Sequence, residues 1–102
     1  MTVDDVLEVG LDKAKKSKAI AQLLDIPERE VRLAVRQLIE DGIPVASSTD
    51  GMTGGFYITK DRKEAEAYIT GMRSRIKEIA RRMRDYKIAA RPILYPGQLP
   101  LI

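Results

Sequence analysis

The apolar positions of this chain change period several times, and each period predicts an element. Val3, Val6, Leu7 and Leu11 fit one face of a short first helix, with Thr2 placed to cap it and Gly10 to end it. A charged linker over residues 12–16 is expected to be exposed. Ser17 is placed as the N-cap of a second helix over 18–24, whose buried face is Ile20, Ala21, Leu23 and Leu24. Asp25 and Ile26 make the turn. Pro27 suits the first position of a third helix, where its missing N–H is no loss, and Glu28 and Glu30 complement the positive helix start. This helix carries Val31, Ala34, Val35, Leu38 and Ile39 on one stripe and stops at Gly42.

After Gly42 the period becomes that of strands. Ile43-Pro44-Val45-Ala46-Ser47 is followed by a polar, Gly-rich stretch over 48–54, then by Gly55-Phe56-Tyr57-Ile58-Thr59, which together read as a hairpin. Asp61 caps a long fourth helix from Arg62 to about Lys87, and Pro92, Pro96 and Pro100 mark a non-helical tail. The expected fold class is therefore α+β: three helices and a β-hairpin, then a long C-terminal helix. The expected divisions are residues 1–60, 61–88 and 89–102.

Composition narrows the chemistry. The 102 residues contain neither Cys nor His, so disulfides, zinc-finger ligands, a thiol nucleophile and an imidazole base are all excluded. The acidic residues fall mostly on helix surfaces beside basic ones, so no enzymatic activity, metal or cofactor is expected. The first ten residues are acidic and too poor in apolar residues for a signal peptide. No stretch approaches the roughly 18 apolar residues of a membrane span, so a cytoplasmic protein is expected.

The net charge of +3 is unevenly divided. Residues 1–61 hold 8 Lys/Arg and 11 Asp/Glu, a balance of −3, whereas residues 62–102 hold 10 and 4, a balance of +6. Attraction for a polyanion is therefore concentrated in the C-terminal part.

Residues 17–42, followed by Ile43-Pro44-Val45-Ala46-Ser47 and Gly54-Gly55-Phe56-Tyr57-Ile58, resemble the winged helix-turn-helix modules of bacterial and phage regulators. In those modules a Leu-x-x-x-Gly-hydrophobic-Pro-hydrophobic run leads into the wing, and a Gly-Gly-aromatic-Tyr strand closes it. The likeness covers about the first 60 residues. It implies that the third helix is the recognition helix and that residues 48–54 form the wing tip. Arg29, Arg32, Arg36 and Gln37 then face outward from the apolar stripe. Arg can read guanine edges bidentately, Gln can read adenine, and any of the three Arg can hold phosphate. A solvated face with paired charges, such as Glu28 with Arg32, is the alternative. Glu28, Glu30 and the wing's Asp50 depart from the pattern of a DNA-binding surface, and winged domains also serve as protein-binding or dimerisation modules.

In the long helix, Ala65, Ile69, Met72, Ile76, Ile79, Met83 and Tyr86 recur at alternating spacings of four and three, which makes a heptad seam. A helix of about 39 Å is long for a small domain to cover, so the seam suggests a homodimer; packing on the domain and the tail is the alternative. Arg73, Arg75, Lys77, Arg81, Arg82, Arg84 and Lys87 flank the seam. In a parallel pair Arg82 would face Lys87 of the second chain, and an antiparallel arrangement or a bound polyanion is expected to relieve that repulsion. Arg81, Arg82 and Arg84 are expected to contact DNA phosphates.

The last residues, Gln98-Leu99-Pro100-Leu101-Ile102, resemble the short peptide, of the form Gln-Leu-x-Leu-Phe, by which many bacterial and phage replication and repair proteins dock on the sliding clamp. Gln98, Leu99 and Leu101 match, and Ile102 stands where Phe is commonest. The resemblance implies recruitment of a clamp; a clamp that failed to retain a peptide spanning residues 95–102 would remove that reading. Docking of this tail on the basic helix is the other reading. The expected partner is double-stranded DNA, in replication or transcription control, and the alternative is an adaptor that uses the same surfaces for protein contacts.

Overall fold

The computed structural model describes residues 1–48 and 54–97. The elements follow in the order α1 (Val3–Val6), a 3-10 turn (Leu11–Lys13), α2 (Ser17–Leu24), α3 (Glu28–Glu40), β1 (Val45–Ser48), β2 (Gly55–Ile58), α4 (Arg62–Ala89) and α5 (Arg91–Leu94). The fold is mixed helix plus a small antiparallel sheet, with a long C-terminal helix. The chain divides into two units, Met1–Tyr68 and Ile69–Ile102, so the division falls inside α4.

In the first unit the core is built from Val3, Val6, Leu7, Ile20, Ala21, Val31, Val35 and Val45. Ile20 and Val31 are fully buried, and removing such a side chain from water stabilises by about 1.5–3 kcal/mol. Leu24, Ile26, Ala34, Leu38, Ile43, Phe56 and Ile58 pack around them, half-buried.

The ends of the helices explain where the chain turns. Asp25 takes a left-handed φ of 55° and closes α2, which leaves only Ile26 and Pro27 before α3. At the end of α3 the Gly42 N–H donates to the Ile39 carbonyl (3.0 Å) and the Ile43 N–H to that of Leu38 (2.9 Å). This pair of bonds is a Schellman closure, and it needs the φ of 98° that Gly42 adopts.

The strands pair in the register Val45↔Ile58, Ala46↔Tyr57, Ser47↔Phe56 and Ser48↔Gly55. The other edge of β2 is occupied by the segment between α1 and α2. Gly10 N donates to Ile58 O (2.9 Å), Ile58 N to Glu8 O (2.9 Å), Lys15 N to Phe56 O (2.9 Å) and Phe56 N to Lys15 O (2.7 Å). The hairpin is thus tied to the helices by backbone bonds on both sides of the 3-10 turn.

Asp61 caps α4 as expected, its carboxylate accepting the Glu64 N–H at 3.0 Å. Glu64 reaches back in two directions: Oε1 accepts the Lys60 N–H (2.9 Å) and Oε2 accepts the Leu11 N–H (3.1 Å). That carboxylate joins the start of α4 to the 3-10 turn. Burial pushes the phenol of Tyr57 above its ordinary range, and the nearby Glu64 carboxylate adds to the effect.

Several expectations are corrected. Leu11 is exposed, because α1 ends at Val6 and residues 8–10 turn to pair with Ile58. The linker is not free either, since Lys15 is half-buried in the bridge to Phe56. Ser17 is the first residue of α2 and not its cap; Lys16 stands there, and the Ser17 hydroxyl donates to Glu28 instead. Leu23 and Ile39 are exposed, each lying about 100° round its helix from a packed neighbour, Leu24 and Leu38 respectively. Pro27 is the N-cap of α3, one residue before the expected place. The tail is not wholly irregular: Pro92 sits in the first turn of α5, where its missing N–H costs no hydrogen bond.

In the second unit, Ala90 is the one buried residue among those described. Among the described residues no helix is long and apolar enough to cross a membrane, and no group of three or more acidic, His or Cys side chains is placed to hold a metal ion.

Candidate nucleic-acid interface

The helix α3 buries Val31 and Val35 and so presents its opposite side to solvent. At about 100° per residue, Arg29, Arg32 and Arg36 fall on one ridge of that side, spaced three and four residues apart. All three are exposed. Arg32 lies 3.8 Å from Glu28 and Arg36 lies 3.6 Å from Glu40, both as i,i+4 pairs at the surface. Such pairs contribute about 0–1 kcal/mol, so a phosphate can replace either carboxylate as the partner. Gln37 is exposed as well, but it is turned about 80–140° from the Arg ridge and its amide donates to Asp41 at 3.0 Å. The structure therefore brings together Arg29, Arg32 and Arg36 and leaves Gln37 on the flank.

Glu28 is not simply a negative charge at the helix start. It accepts the Ser17 hydroxyl at 2.9 Å and faces Arg32, so its charge is shared between α2 and α3. Beside it an open cleft of about 520 Å³ runs between the two helix starts and the loop-side end of the strands. Lys16, Lys18, Arg32 and Glu28 line it with Ser17, Ser47 and Phe56. Three cations against one carboxylate make a cleft that favours an anion. The Ser47 hydroxyl lies 3.3 Å from the Tyr68 hydroxyl.

Two features of this surface were absent from the sequence expectations. Leu33 is 56% exposed, on the outer side of α3 between Arg29 and Arg36. Its offset of two residues from Val31 was the signal, since that spacing places it about 200° from the buried stripe. Lys16 and Lys18 belong to the cleft; Lys16 stands in the run that reads as an exposed linker and Lys18 at the start of the second helix, and neither was singled out.

Most of the expected wing tip, residues 49–53 with Asp50, and the whole clamp-like peptide, Gln98, Leu99, Leu101 and Ile102, lie outside the described residues. In the second unit, Arg81, Arg82 and Arg84 are exposed on α4, and none of them pairs with a carboxylate among the described residues. The seam residues Ile69, Ile76, Ile79, Met83 and Tyr86 are exposed too, from 43% at Ile69 to 71% at Tyr86, and Met72 is half-buried. No family model matches this chain, and no curated protein or solved structure matches it either.

Proposed function

We propose that the first unit is a winged helix-turn-helix domain of bacterial or phage type that binds double-stranded DNA. The observation that carries the reading is the exposed ridge of Arg29, Arg32 and Arg36 on α3, the helix that follows a tight turn and precedes a hairpin. In this reading α3 enters the major groove, with the Arg side chains reading bases or gripping phosphates, and Gln37 at its edge. The cationic cleft beside Arg32 seats a stretch of the backbone, and Arg81, Arg82 and Arg84 add phosphate contacts that carry no sequence information. The role is control of replication or transcription, and the clamp-like last residues favour replication.

A second reading is favoured by Leu33. A large apolar side chain at the centre of the outer face, together with the Glu28 and Glu40 carboxylates beside the Arg residues, suits a protein-binding surface in an adaptor.

Fluorescence anisotropy of generic duplex DNA, titrated with the full chain at several salt concentrations, separates the two. Each lost phosphate contact lowers the slope of log K against log salt by about 0.9. Arg32→Ala/Arg36→Ala should therefore weaken binding and lower the slope by ~1.8, and Arg81→Gln/Arg82→Gln/Arg84→Gln should lower it by ~2.7. Binding that ignores the first pair refutes the recognition-helix assignment, and absence of binding at low salt favours the adaptor.

A further inference from the structure

The exposed seam of α4 carries its own information about what covers it. Because α4 is one unbroken helix, Ile69, Met72, Ile76, Ile79, Met83 and Tyr86 form a continuous stripe about 26 Å long. The positions that flank this stripe on one side are Tyr68, Arg75, Arg82 and Ala89, and on the other Arg73, Ala80 and Lys87. Beside the stripe from Ile69 to Tyr86 every flank charge is positive; Glu66, one heptad before Arg73 and beside Ala65, is acidic and pairs with Arg62 at 2.7 Å. The acidic residues of this stretch, Glu78 and Asp85, lie towards the outer face of the helix, away from where a partner's flank would lie.

A second copy of the chain is a poor occupant of such a stripe. Parallel pairing sets Arg82 against Lys87. Reversing the second helix does not remove the conflict, because flanks then meet their own kind: with the stripe centred on itself Arg75 faces Arg82 twice, while Lys87 meets Glu66, a carboxylate already paired with Arg62. An antiparallel arrangement therefore relieves the repulsion at Lys87 and leaves one between Arg75 and Arg82. A helix with apolar residues at the same spacing and carboxylates on its flanks turns each repulsion into an ion pair in either direction.

We infer that the α4 seam is a docking site for an acidic amphipathic helix of another protein. The apolar stripe supplies the affinity, and Arg73, Arg75, Arg82 and Lys87 select the partner by charge. This inference goes beyond the DNA reading and does not depend on it.

The test uses the full chain and two synthetic helical peptides of about three heptads with identical Leu/Ile seams, one with Glu and one with Lys at all flanking positions. A scrambled peptide of the acidic composition is the third probe. The acidic peptide should bind at least about tenfold more tightly than the basic one at low ionic strength, with the difference shrinking as salt is added. The scrambled peptide should bind no better than the basic one. Ile76→Asp/Ile79→Asp should abolish binding with the helical circular dichroism unchanged, since both side chains are exposed. Arg75→Glu/Arg82→Glu/Lys87→Glu should reverse the preference, and the chain alone should sediment as a monomer. Equal binding of the two ordered peptides, or of the scrambled one, overturns the inference. So does a dimer of the full chain that Ile76→Asp/Ile79→Asp dissolves, for then the second copy is the occupant.

Discussion

Gly55 joins the hairpin to the helices, and its replacement by Ala has a magnitude that the structure fixes. Its φ is 139°, a conformation that L residues rarely adopt, and a Cβ there would overlap the Lys15 carbonyl and stand 2.6 Å from the Lys16 nitrogen. These neighbours are backbone and cannot swing aside. To accommodate the methyl group, the bridge between Lys15 and Phe56 must open, with loss of its bonds at 2.9 and 2.7 Å. Each bond contributes about 0.5–1.5 kcal/mol, and the disfavoured φ costs about 1–3 kcal/mol more. The expected destabilisation is about 2–6 kcal/mol. Gly42 is the control: its φ of 98° is also positive, but nothing lies within 4 Å of its Cβ position, so Gly42→Ala meets backbone strain alone, about 1–2 kcal/mol. Urea unfolding followed by circular dichroism measures both. Hydrogen exchange at the Lys15 and Phe56 amides reports whether the bridge has opened in Gly55→Ala. If the two variants agree within about 0.5 kcal/mol, or the amides stay protected in Gly55→Ala, the reasoning about the close approach is wrong.

Two further outcomes follow from single carboxylates. Glu64→Gln keeps the shape of the side chain but turns two charge-assisted bonds, to Lys60 N and Leu11 N, into neutral or broken ones; it should cost about 1–2 kcal/mol by urea unfolding, and no loss would show that this link contributes nothing. The Asp5 carboxyl is held below its ordinary range, first by the Thr2 backbone N–H at 2.8 Å and then by the Thr2 hydroxyl. A depressed carboxylate contributes stability that is present above the unfolded value near 3.9 and is lost as pH falls through the folded value. The gap in melting temperature between the natural chain and Asp5→Asn should therefore be open at about pH 6 and close as pH falls through the folded value; a constant gap would contradict this account.

The order of elements could be read from the sequence because each is specified locally. A three-and-four spacing of apolar residues makes α3 and α4, alternation makes the strands, Gly42 ends α3, and Asp61 opens α4. The Arg ridge was legible for the same reason: once Val31 and Val35 are assigned to the core, helix geometry sends Arg29, Arg32 and Arg36 outward. Heptad spacing likewise made the seam of α4 visible.

Which segments meet was decided by tertiary structure alone. Nothing local to Lys15 says that its peptide group pairs with Phe56, and nothing local to Glu64 says that it accepts the Leu11 N–H 53 residues away. Ser17 reads as a cap from its neighbours, yet it faces Glu28 because α2 and α3 begin side by side. The exposure of Leu23 and Ile39 is of the same kind, since a periodic pattern marks a helix's apolar side but the width of the stripe that is covered depends on what packs there. Periodicity records how each element divides itself between water and core. The pairing of distant backbone groups depends on the arrangement of all the elements at once, and the cleft that joins Lys16, Lys18 and Arg32 exists only there.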